Sequence, residues 1–346
     1  MRFILSCLLF SMSFLTFQHA GAEENSLNIY TWFSVIPDTV IHQFEKETGI
    51  KVNASTYESN EVLYAKLRTT KQPYYDIIEP TSDCADRMRR QGMLTFLDKD
   101  KLPAFANLNP FLLNKEYDPH NNYSIPLMWG VTGIFFNQNH YTSHAITHWA
   151  DLWDPQLKHQ ILLLDDPRDV FAIAFRTLGY SVNDSNPEHI KQAYLKLKTL
   201  IPNIKTFNNA VATAAIDEDV LIGMSWNGDL LKAKQENSHL AFTYPQDGFL
   251  IWVDTVAIPK NAPHLTNAYK FLNFLMRPDI AKIITLYTQY ATANFVTQKS
   301  LPDEIKNDPI IYPSKEILSR GEFQTGLTNA TTELYEKYWE MLKMGK

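Results

Sequence analysis

The sequence of 346 residues contains only two cysteines and twelve glycines. Cys7 lies in an apolar N-terminal segment that we expect to be removed, which leaves Cys84 as the only cysteine of the mature chain. That chain cannot form an intrachain disulfide, so its core alone must hold the fold. The few glycines form no phosphate-binding loop, no dinucleotide-binding fingerprint and no G-x-S-x-G nucleophile elbow. The sequence therefore gives no support to the enzyme classes that those motifs define.

Positive charge is also scarce, with 32 Lys and Arg against 38 Asp and Glu and a net charge of −6 at pH 7. An acidic balance disfavours binding to nucleic acids and to anionic membrane surfaces, and it permits a cationic ligand. We therefore expect no nucleic-acid partner and no direct membrane insertion.

The N-terminus has the three parts of a secretory signal peptide. Arg2 supplies the positive charge, residues 3–17 are apolar, and Ala20-Gly21-Ala22 is a small-x-small cleavage site. We predict a signal peptide over residues 1–22 and a periplasmic protein that begins at Glu23.

Segments with strand character alternate with segments of helical character along the rest of the chain. Strands are predicted at 27–32, 50–54 and 75–79, and helices that begin near Pro37, Ser59 and Asp83 lie after them. This order predicts an α/β fold in which a mainly parallel sheet is flanked by helices. A second unit of the same kind follows, so we expect two lobes.

The most informative stretch is Phe249–Pro259, which has the composition of a buried strand. Side chains alternate along a strand, so Trp252 and Asp254 lie on one face. Together they would make a good floor for an organic cation, because Asp neutralises the charge and Trp offers its π face. The alternative is a core Trp beside an Asp that caps a turn or pairs with Lys.

Aromatic and acidic residues also follow the other predicted strands. In open parallel sheets, ligands bind outside the carboxyl ends of the strands. The residues at these ends are Trp32, Thr81–Asp83, Asp165, Asp166, Asp169 and Trp226. Each acid could instead cap the next helix, and each Trp could be core. A pair of acids such as Asp166 and Asp254 also leaves open a secreted glycoside hydrolase.

The chain resembles the periplasmic spermidine/putrescine-binding proteins of polyamine ABC importers over nearly all of its mature length. The resemblance is carried by ordered segments that include FEKETGIKVNASTYESNEVLYAKL (44–67), LLLDDPRDVF (162–171), GMSWNG (223–228) and GEFQ (321–324). It implies a type II solute-binding fold with two lobes and a hinge. It places residues 23–131 and 255–298 in the N-terminal lobe, and residues 132–254 and 299–346 in the C-terminal lobe.

The resemblance also assigns ligand-binding roles. Aromatic rings would sandwich the methylene chain, Asp166 and Asp169 would hold one ammonium end, and Asp254 would hold the middle of the ligand. The complete implied set is Trp32, Thr81, Asp83, Asp166, Asp169, Trp226, Trp252, Asp254, Tyr290 and Gln324. No catalytic residue, metal or cofactor is implied.

The chain departs from the family in three places. Phe33 and Val35 replace a hydroxyl residue and a Tyr, Asp83 replaces a Tyr, and Asp169 replaces a Glu. The added acid at Asp83 could suit a more highly charged amine, or it could be a helix N-cap.

The expected function is therefore capture of a polyamine and its delivery, by a monomer, to an inner-membrane ABC permease. The alternatives are the same fold with another organic cation, a hydrolase that uses Asp166 and Asp254, and a polyamine-dependent sensor or adhesin.

Overall fold

The structure is a computed structural model that describes residues 25–70, 72–141 and 146–345. The predicted signal peptide, with Cys7, lies outside these residues. Within the described ranges no helix has both the length and the apolar character that crossing a bilayer requires.

The strands form one continuous hydrogen-bonded system of eleven members in the described part of the chain. In chain order they are β1 (Ser26–Trp32), β2 (Lys51–Tyr57), β3 (Ile77–Ile78), β4 (Ser124–Asn137), β5 (Ile161–Leu163), β6 (Ile204–Phe207), β7 (Ile222–Trp226), β8 (Leu240–Thr243), β9 (Phe249–Ala257), β10 (Ala291–Thr292) and β11 (Gly321–Phe323).

The α-helices alternate with these strands through most of the chain. They are α1 (Asp38–Thr48), α2 (Asn60–Thr69), α3 (Ser82–Arg90), α4 (Pro167–Thr177), α5 (Pro187–Lys198), α6 (Val211–Ile216), α7 (Asn227–Glu236), α8 (Leu265–Leu275), α9 (Pro278–Thr288), α10 (Phe295–Ser300), α11 (Asp303–Lys306), α12 (Lys315–Leu318) and α13 (Asn329–Lys343).

Local sequence explains several of the helix ends. The hydroxyl of Ser59 accepts a hydrogen bond from the N–H of Val62 at 3.2 Å and so caps α2. Gly49 ends α1 with a φ of 69°, a left-handed conformation that costs glycine little.

The sheet is parallel where strands are joined through helices, as the alternating pattern predicts. β1 pairs in parallel with β2 and β3, and β5 pairs in parallel with β6 and β7. Two long strands, β4 and β9, lie between these two parallel groups. They run antiparallel to each other, β4 also runs antiparallel to β7, and β9 runs antiparallel to β3 but parallel to β11. The mixed α/β architecture with two parallel groups is that of a two-lobed type II solute-binding fold.

Strand β4 belongs to both groups. Its residues up to Val131 pair with β9, and its residues from Thr132 onward pair with β7. The strand carries Gly130 and Gly133 where bulky side chains approach it, since a Cβ on Gly133 would lie 2.4 Å from the Phe242 ring. All fourteen residues of β4 are buried, and no local sequence pattern indicates its antiparallel partners.

Two hydrophobic cores lie on either side of this crossing. The first gathers side chains from β1, β2, α1, α8 and α9, together with Phe249, Ile251 and Val253 of β9. The second gathers side chains from the far end of β4, from α4, α5 and α7, and from α13. The expected lobe boundaries stay a prediction, because β4 and β9 serve both halves.

Asp118 fixes the chain just before β4 begins. Its buried carboxylate accepts hydrogen bonds from the N–H groups of Asn122 at 3.1 Å, Tyr123 at 3.0 Å and Ser124 at 2.8 Å, and from the Ser124 hydroxyl at 2.8 Å. Hydrogen bonds to a charged acceptor are stronger than neutral ones. The start of β4 therefore depends on this one side chain.

Replacing Asp118 by Ala should lower the free energy of unfolding by about 2–4 kcal/mol, because buried backbone N–H groups lose their acceptor. Urea unfolding followed by circular dichroism measures the change. Asp100→Ala, at an exposed carboxylate in the same region, is the control and should stay within about 0.5 kcal/mol of the parent. Equal destabilisation by both variants would refute the role given to Asp118.

Candidate functional site

All ten residues of the implied ligand set line a single cavity of about 310 Å³, which we call the ligand cavity. It lies where the carboxyl ends of β1, β5 and β7 face the side of β9. Trp32 is the last residue of β1 and Trp226 the last residue of β7, as the rule for strand ends predicts. Whether these residues bind a ligand stays a prediction.

Strand β9 forms the floor of the ligand cavity. Phe249, Ile251 and Val253 point into the first core, and Trp252 and Asp254 lie on the opposite face and line the cavity. Both floor residues are only 7% exposed. The alternation predicted from the sequence is confirmed.

The indole of Trp252 occupies space that a glycine in the neighbouring strand leaves open. Gly130 of β4 pairs with Trp252, and a Cβ there would lie 2.2 Å from Cζ2 of the indole. The edge of Tyr290 meets the same indole at 4.9 Å between ring centroids, with an interplanar angle of 82°. The ring of Tyr290 in turn requires Gly228, whose added Cβ would lie 2.3 Å from it. Two glycines therefore make room for two rings of the site.

Asp254 is the isolated carboxylate of the floor. It has no hydrogen bond or ion pair from a side chain among the residues that the structure describes. Burial raises the pKa of Asp254 to about 7, and the negative charge of Asp83 adds to the shift. A cation that approaches such a carboxylate lowers its free energy, because it supplies the missing counter-charge.

Asp166 and Asp169 both lie at the start of α4 and are stabilised differently. Asp166 is the N-cap and accepts from the N–H groups of Arg168 at 2.7 Å and Asp169 at 3.1 Å, so the helix-cap alternative is correct for this residue. Burial still raises the pKa of Asp166. A capping carboxylate retains free lone pairs, so the two roles are compatible.

Asp169 is buried and holds two neighbours. Its carboxyl accepts from the Thr132 hydroxyl at 2.5 Å and from the indole N–H of Trp226 at 3.1 Å. Burial, followed by the charge of Asp166, raises the pKa of Asp169 to about 7, although these two hydrogen bonds lower it. The pair of acids therefore carries less than two full negative charges at neutral pH.

Thr81, Asp83 and Gln324 complete the implied set from the other side of the cavity. Thr81 is the N-cap of α3, and Asp83 lies in the first turn of that helix, so the alternative that Asp83 is the N-cap is wrong. The backbone N–H of Gln324 donates to Ile251 at 2.9 Å, and its carbonyl accepts from Ser82 at 3.1 Å. Gln324 thus joins β9 to α3.

Phe33 and Val35, two of the departures from the family, both line the ligand cavity. Phe33 is 75% exposed, which is unusual for a ring of this size. Apolar surface therefore stands where the family has polar groups.

Five charged residues outside the implied set and the predicted strand ends also line the ligand cavity: Glu58, Glu61, Arg168, Asp229 and Lys232. Asp229 accepts a hydrogen bond from the Tyr290 hydroxyl, and burial raises the pKa of Asp229. Asp165, at a predicted strand end, lines the cavity and also forms an ion pair with Lys343 at 2.7 Å. Arg168 could have been found from its position between Asp166 and Asp169 in the sequence. Its ion-pair partner in the structure is Asp83.

Three histidines outside the predicted site repeat at four-residue intervals: His140, His144 and His148. His140 lies in the turn after β4, His148 precedes a short 3-10 helix at Trp149–Trp153, and His144 is outside the described residues. In the ranges that the structure covers, no group of three or more His, Cys, Asp or Glu side chains is arranged to hold a metal ion.

A family model described as bacterial extracellular solute-binding protein matches residues 39–313. A spermidine/putrescine-binding periplasmic protein of Salmonella typhimurium is 43% identical over 327 residues, which are 94% of either chain. The putrescine-binding periplasmic protein PotF of Escherichia coli is 33% identical over 321 residues, 87% of this chain and 86% of its own.

The structural comparison agrees with these matches. The spermidine/putrescine ABC transporter substrate-binding protein of Streptococcus pneumoniae superposes with a TM-score of 0.81 at 32% identity, over 92% of this chain and 99% of its own.

Glu79 is a buried acid behind the floor that the sequence analysis does not single out. It is fully buried, and neither carboxyl oxygen has a hydrogen-bond partner at bonding distance within the described ranges. Burial, and then the charge of Asp254, raises the pKa of Glu79 well above its usual range, and the backbone of Trp32 offsets only part of this. Burial therefore favours the protonated form of Glu79.

Replacing Glu79 by Gln should stabilise the ligand-free protein by an amount that grows with pH, reaching about 1–3 kcal/mol. The unfolded chain releases the Glu79 proton near pH 4.5, and the folded chain releases it only at higher pH. Native stability due to the protonated acid is therefore present below pH 4.5 and is lost as the pH rises toward the folded pKa. The Gln variant lacks this loss.

Urea unfolding at pH 5 and pH 8 measures the effect. The exposed Glu304→Gln is the matched control and should show a difference from the parent that does not depend on pH. A constant difference for Glu79→Gln would contradict the assignment of a buried neutral acid.

Proposed function

Because this chain belongs to the bacterial extracellular solute-binding proteins, and among them to the spermidine/putrescine-binding periplasmic proteins, we propose that it captures a polyamine in the ligand cavity and delivers it to an ABC importer. The signal peptide predicted over residues 1–22 supports a periplasmic location. Delivery requires an inner-membrane permease as the partner, and we propose a monomer that acts without a catalytic residue.

The observation that carries the proposal is the floor of the ligand cavity. Asp254 is 7% exposed and has no cationic protein partner among the described residues, and it lies next to the indole of Trp252. A buried carboxylate without a partner is costly, and a ligand cation removes that cost. The surrounding rings of Trp32, Trp226 and Tyr290 suit the methylene chain of the same ligand.

The distribution of acids favours more than one positive charge on the ligand. Asp254 comes from β9, and Asp166 with Asp169 comes from the start of α4. Acids on two separate walls match a chain with ammonium groups at intervals better than they match a single compact cation. A diamine or triamine has this chemistry.

The energies are sufficient for useful affinity. Each cation–π contact contributes roughly 0.5–2 kcal/mol when it is desolvated, and each charge-assisted hydrogen bond contributes roughly 1.5–3 kcal/mol. Several such contacts outweigh the ordering of a flexible ligand, which costs about 0.5–1.5 kcal/mol for each immobilised group. Closure of the two lobes on the ligand would follow from contacts made on both sides of the cleft.

Asp254→Asn and Trp252→Ala should each weaken binding of spermidine and putrescine more than tenfold, which is about 1.4 kcal/mol. The first removes the carboxylate and the second removes the π face. Isothermal titration calorimetry measures the affinity. Trp153→Ala, at a partly buried indole outside the cavity, and Asp100→Asn are the controls. Unchanged affinity in both floor variants would refute the site.

A thermal-shift panel of putrescine, spermidine, spermine and cadaverine tests the ligand class itself. Stabilisation by none of them would favour another organic cation. Turnover of a glycoside would favour the hydrolase alternative that uses Asp166 and Asp254.

Affinity for a diamine should fall below about pH 7, roughly tenfold per pH unit for each of the two acids that must be ionised. Asp169 and Asp254 have pKa values of about 7 without a cation, and they must be ionised to bind one. The ligand ammonium groups stay charged throughout this range, so the change comes from the protein. Proton release at pH 7, obtained by calorimetry in two buffers of different ionisation enthalpy, should decrease in Asp254→Asn. Equal affinity at pH 6 and pH 8 would contradict this coupling.

A further inference from the structure

Two acidic walls face each other across one end of the ligand cavity. The first wall is formed by α2 and α3, which pack with β1, β2 and β3, and it carries Glu61 and Asp83. The second wall is formed by the start of α4, which packs into the second core, and it carries Asp165 and Asp166. The two walls therefore belong to different parallel groups of the sheet.

The acids of the two walls lie close enough to act on each other. Burial raises the pKa of Asp166, and the charge of Asp83 on the opposite wall adds to that rise. Asp83 also contributes to the raised pKa of Asp169, for which burial and the charge of Asp166 are larger causes. Like charges disfavour each other's ionised form. Without a cation between them, these walls would repel.

Arg168 is the protein cation that lies between the walls. Its Nη1 is 3.7 Å from Oδ2 of Asp83, and the two side chains are only 12% and 14% exposed, so water screens their charges poorly. On its own wall, the charge of Arg168 opposes the rise in the pKa of Asp166. Among the residues that the structure describes, no other ion pair joins the two walls. One guanidinium thus balances acids on both sides.

Both partners of this ion pair are held in place by their own surroundings. The Thr81 hydroxyl donates to Asp83, and the Thr81 oxygen accepts from the Asn60 amide at 2.7 Å. Arg168 donates through Nη2 to the Thr325 carbonyl at 3.2 Å. Because the planar guanidinium is fixed at one edge, less conformational entropy is lost when its other edge meets Asp83.

The ion pair lies where two cavities adjoin. One is the ligand cavity, and the other, which we call the outer cavity, has a volume of about 450 Å³. The residues that line both include three acids, Glu61, Asp83 and Asp165, and one cation, Arg168. Space on both sides of the pair means that little apolar packing joins the walls at this place. Charge therefore decides whether they stay together here, and acids are in excess.

We propose that Arg168 is a built-in counter-cation that draws the two walls together before any ligand arrives. A positive charge between two acidic walls attracts both of them, and the attraction is lost when the walls separate and water enters. The ion pair therefore favours the closed arrangement over an open one, as any contact made in only one of two states does.

The inference goes beyond the proposed function, because it concerns the ligand-free protein and holds for whichever cation the cavity takes. It gives Asp83 a positioning role that acts through Arg168. The resemblance to the family implies a direct contact of Asp83 with the ligand instead.

Small-angle X-ray scattering of the ligand-free protein tests the inference. The radius of gyration of Arg168→Gln should be larger than that of the parent protein, because the acidic walls lose the cation between them. Arg168→Lys keeps the positive charge and should remain closer to the parent. The matched control is Arg68→Gln, at an exposed arginine of α2 that lies over the Tyr64 ring of the same helix. Its radius should equal that of the parent.

Asp83→Asn gives an independent reading, also if Arg168→Gln does not fold. Its radius should increase as well, and the double variant should be no more expanded than Arg168→Gln, since both substitutions break the same contact. Expansion that adds in the double variant, or a parent-like radius in the folded single variants, overturns the inference. Addition of spermidine is a separate measurement, and a failure to bind it counts against the proposed function and leaves the ligand-free result unchanged.

Discussion

The cost of keeping a carboxylate away from water governs the whole cleft. Hydrocarbon cannot replace the lost solvation, so each buried acid needs a hydrogen bond, a counter-charge or a proton. The chain uses all three solutions within one region. Asp166 and Asp169 accept hydrogen bonds, Asp83 has the counter-charge of Arg168, and burial raises the pKa of Glu79 and so favours its protonated form. Asp254 has no hydrogen bond or counter-charge from a side chain in the described residues, and burial raises its pKa to about 7.

The aromatic rings that line the cavity also affect the electrostatics of the acids. They exclude water from the acids, and exclusion of water makes every remaining charge count for more. Their positions require space that only glycine provides, at Gly130 beneath Trp252 and at Gly228 beneath Tyr290. Stability and binding are therefore in conflict in this cleft, since acids that attract a cation also repel one another in its absence.

Much of this arrangement could be predicted from the sequence because it depends on short-range patterns. The period of two along Phe249–Pro259 placed Trp252 beside Asp254, and the rule for strand ends gathered Trp32, Asp166 and Trp226. Contacts between distant segments could not be predicted. Nothing near Arg168 in the sequence indicates that it crosses the cleft to Asp83, and Glu79 resembles any polar residue at a strand end. The antiparallel pairing of β4 with β9 joins residues more than a hundred positions apart, and no local pattern records it.

The position of β9 has a consequence for the order in which the molecule is made. β9 is spatially central to the first core, between β3 and β4, but its residues are synthesised long after those of β1 to β3. A nascent chain that ends before Phe249 lacks the strand that lies between β3 and β4, so the first core cannot be completed until more than two hundred residues have been synthesised.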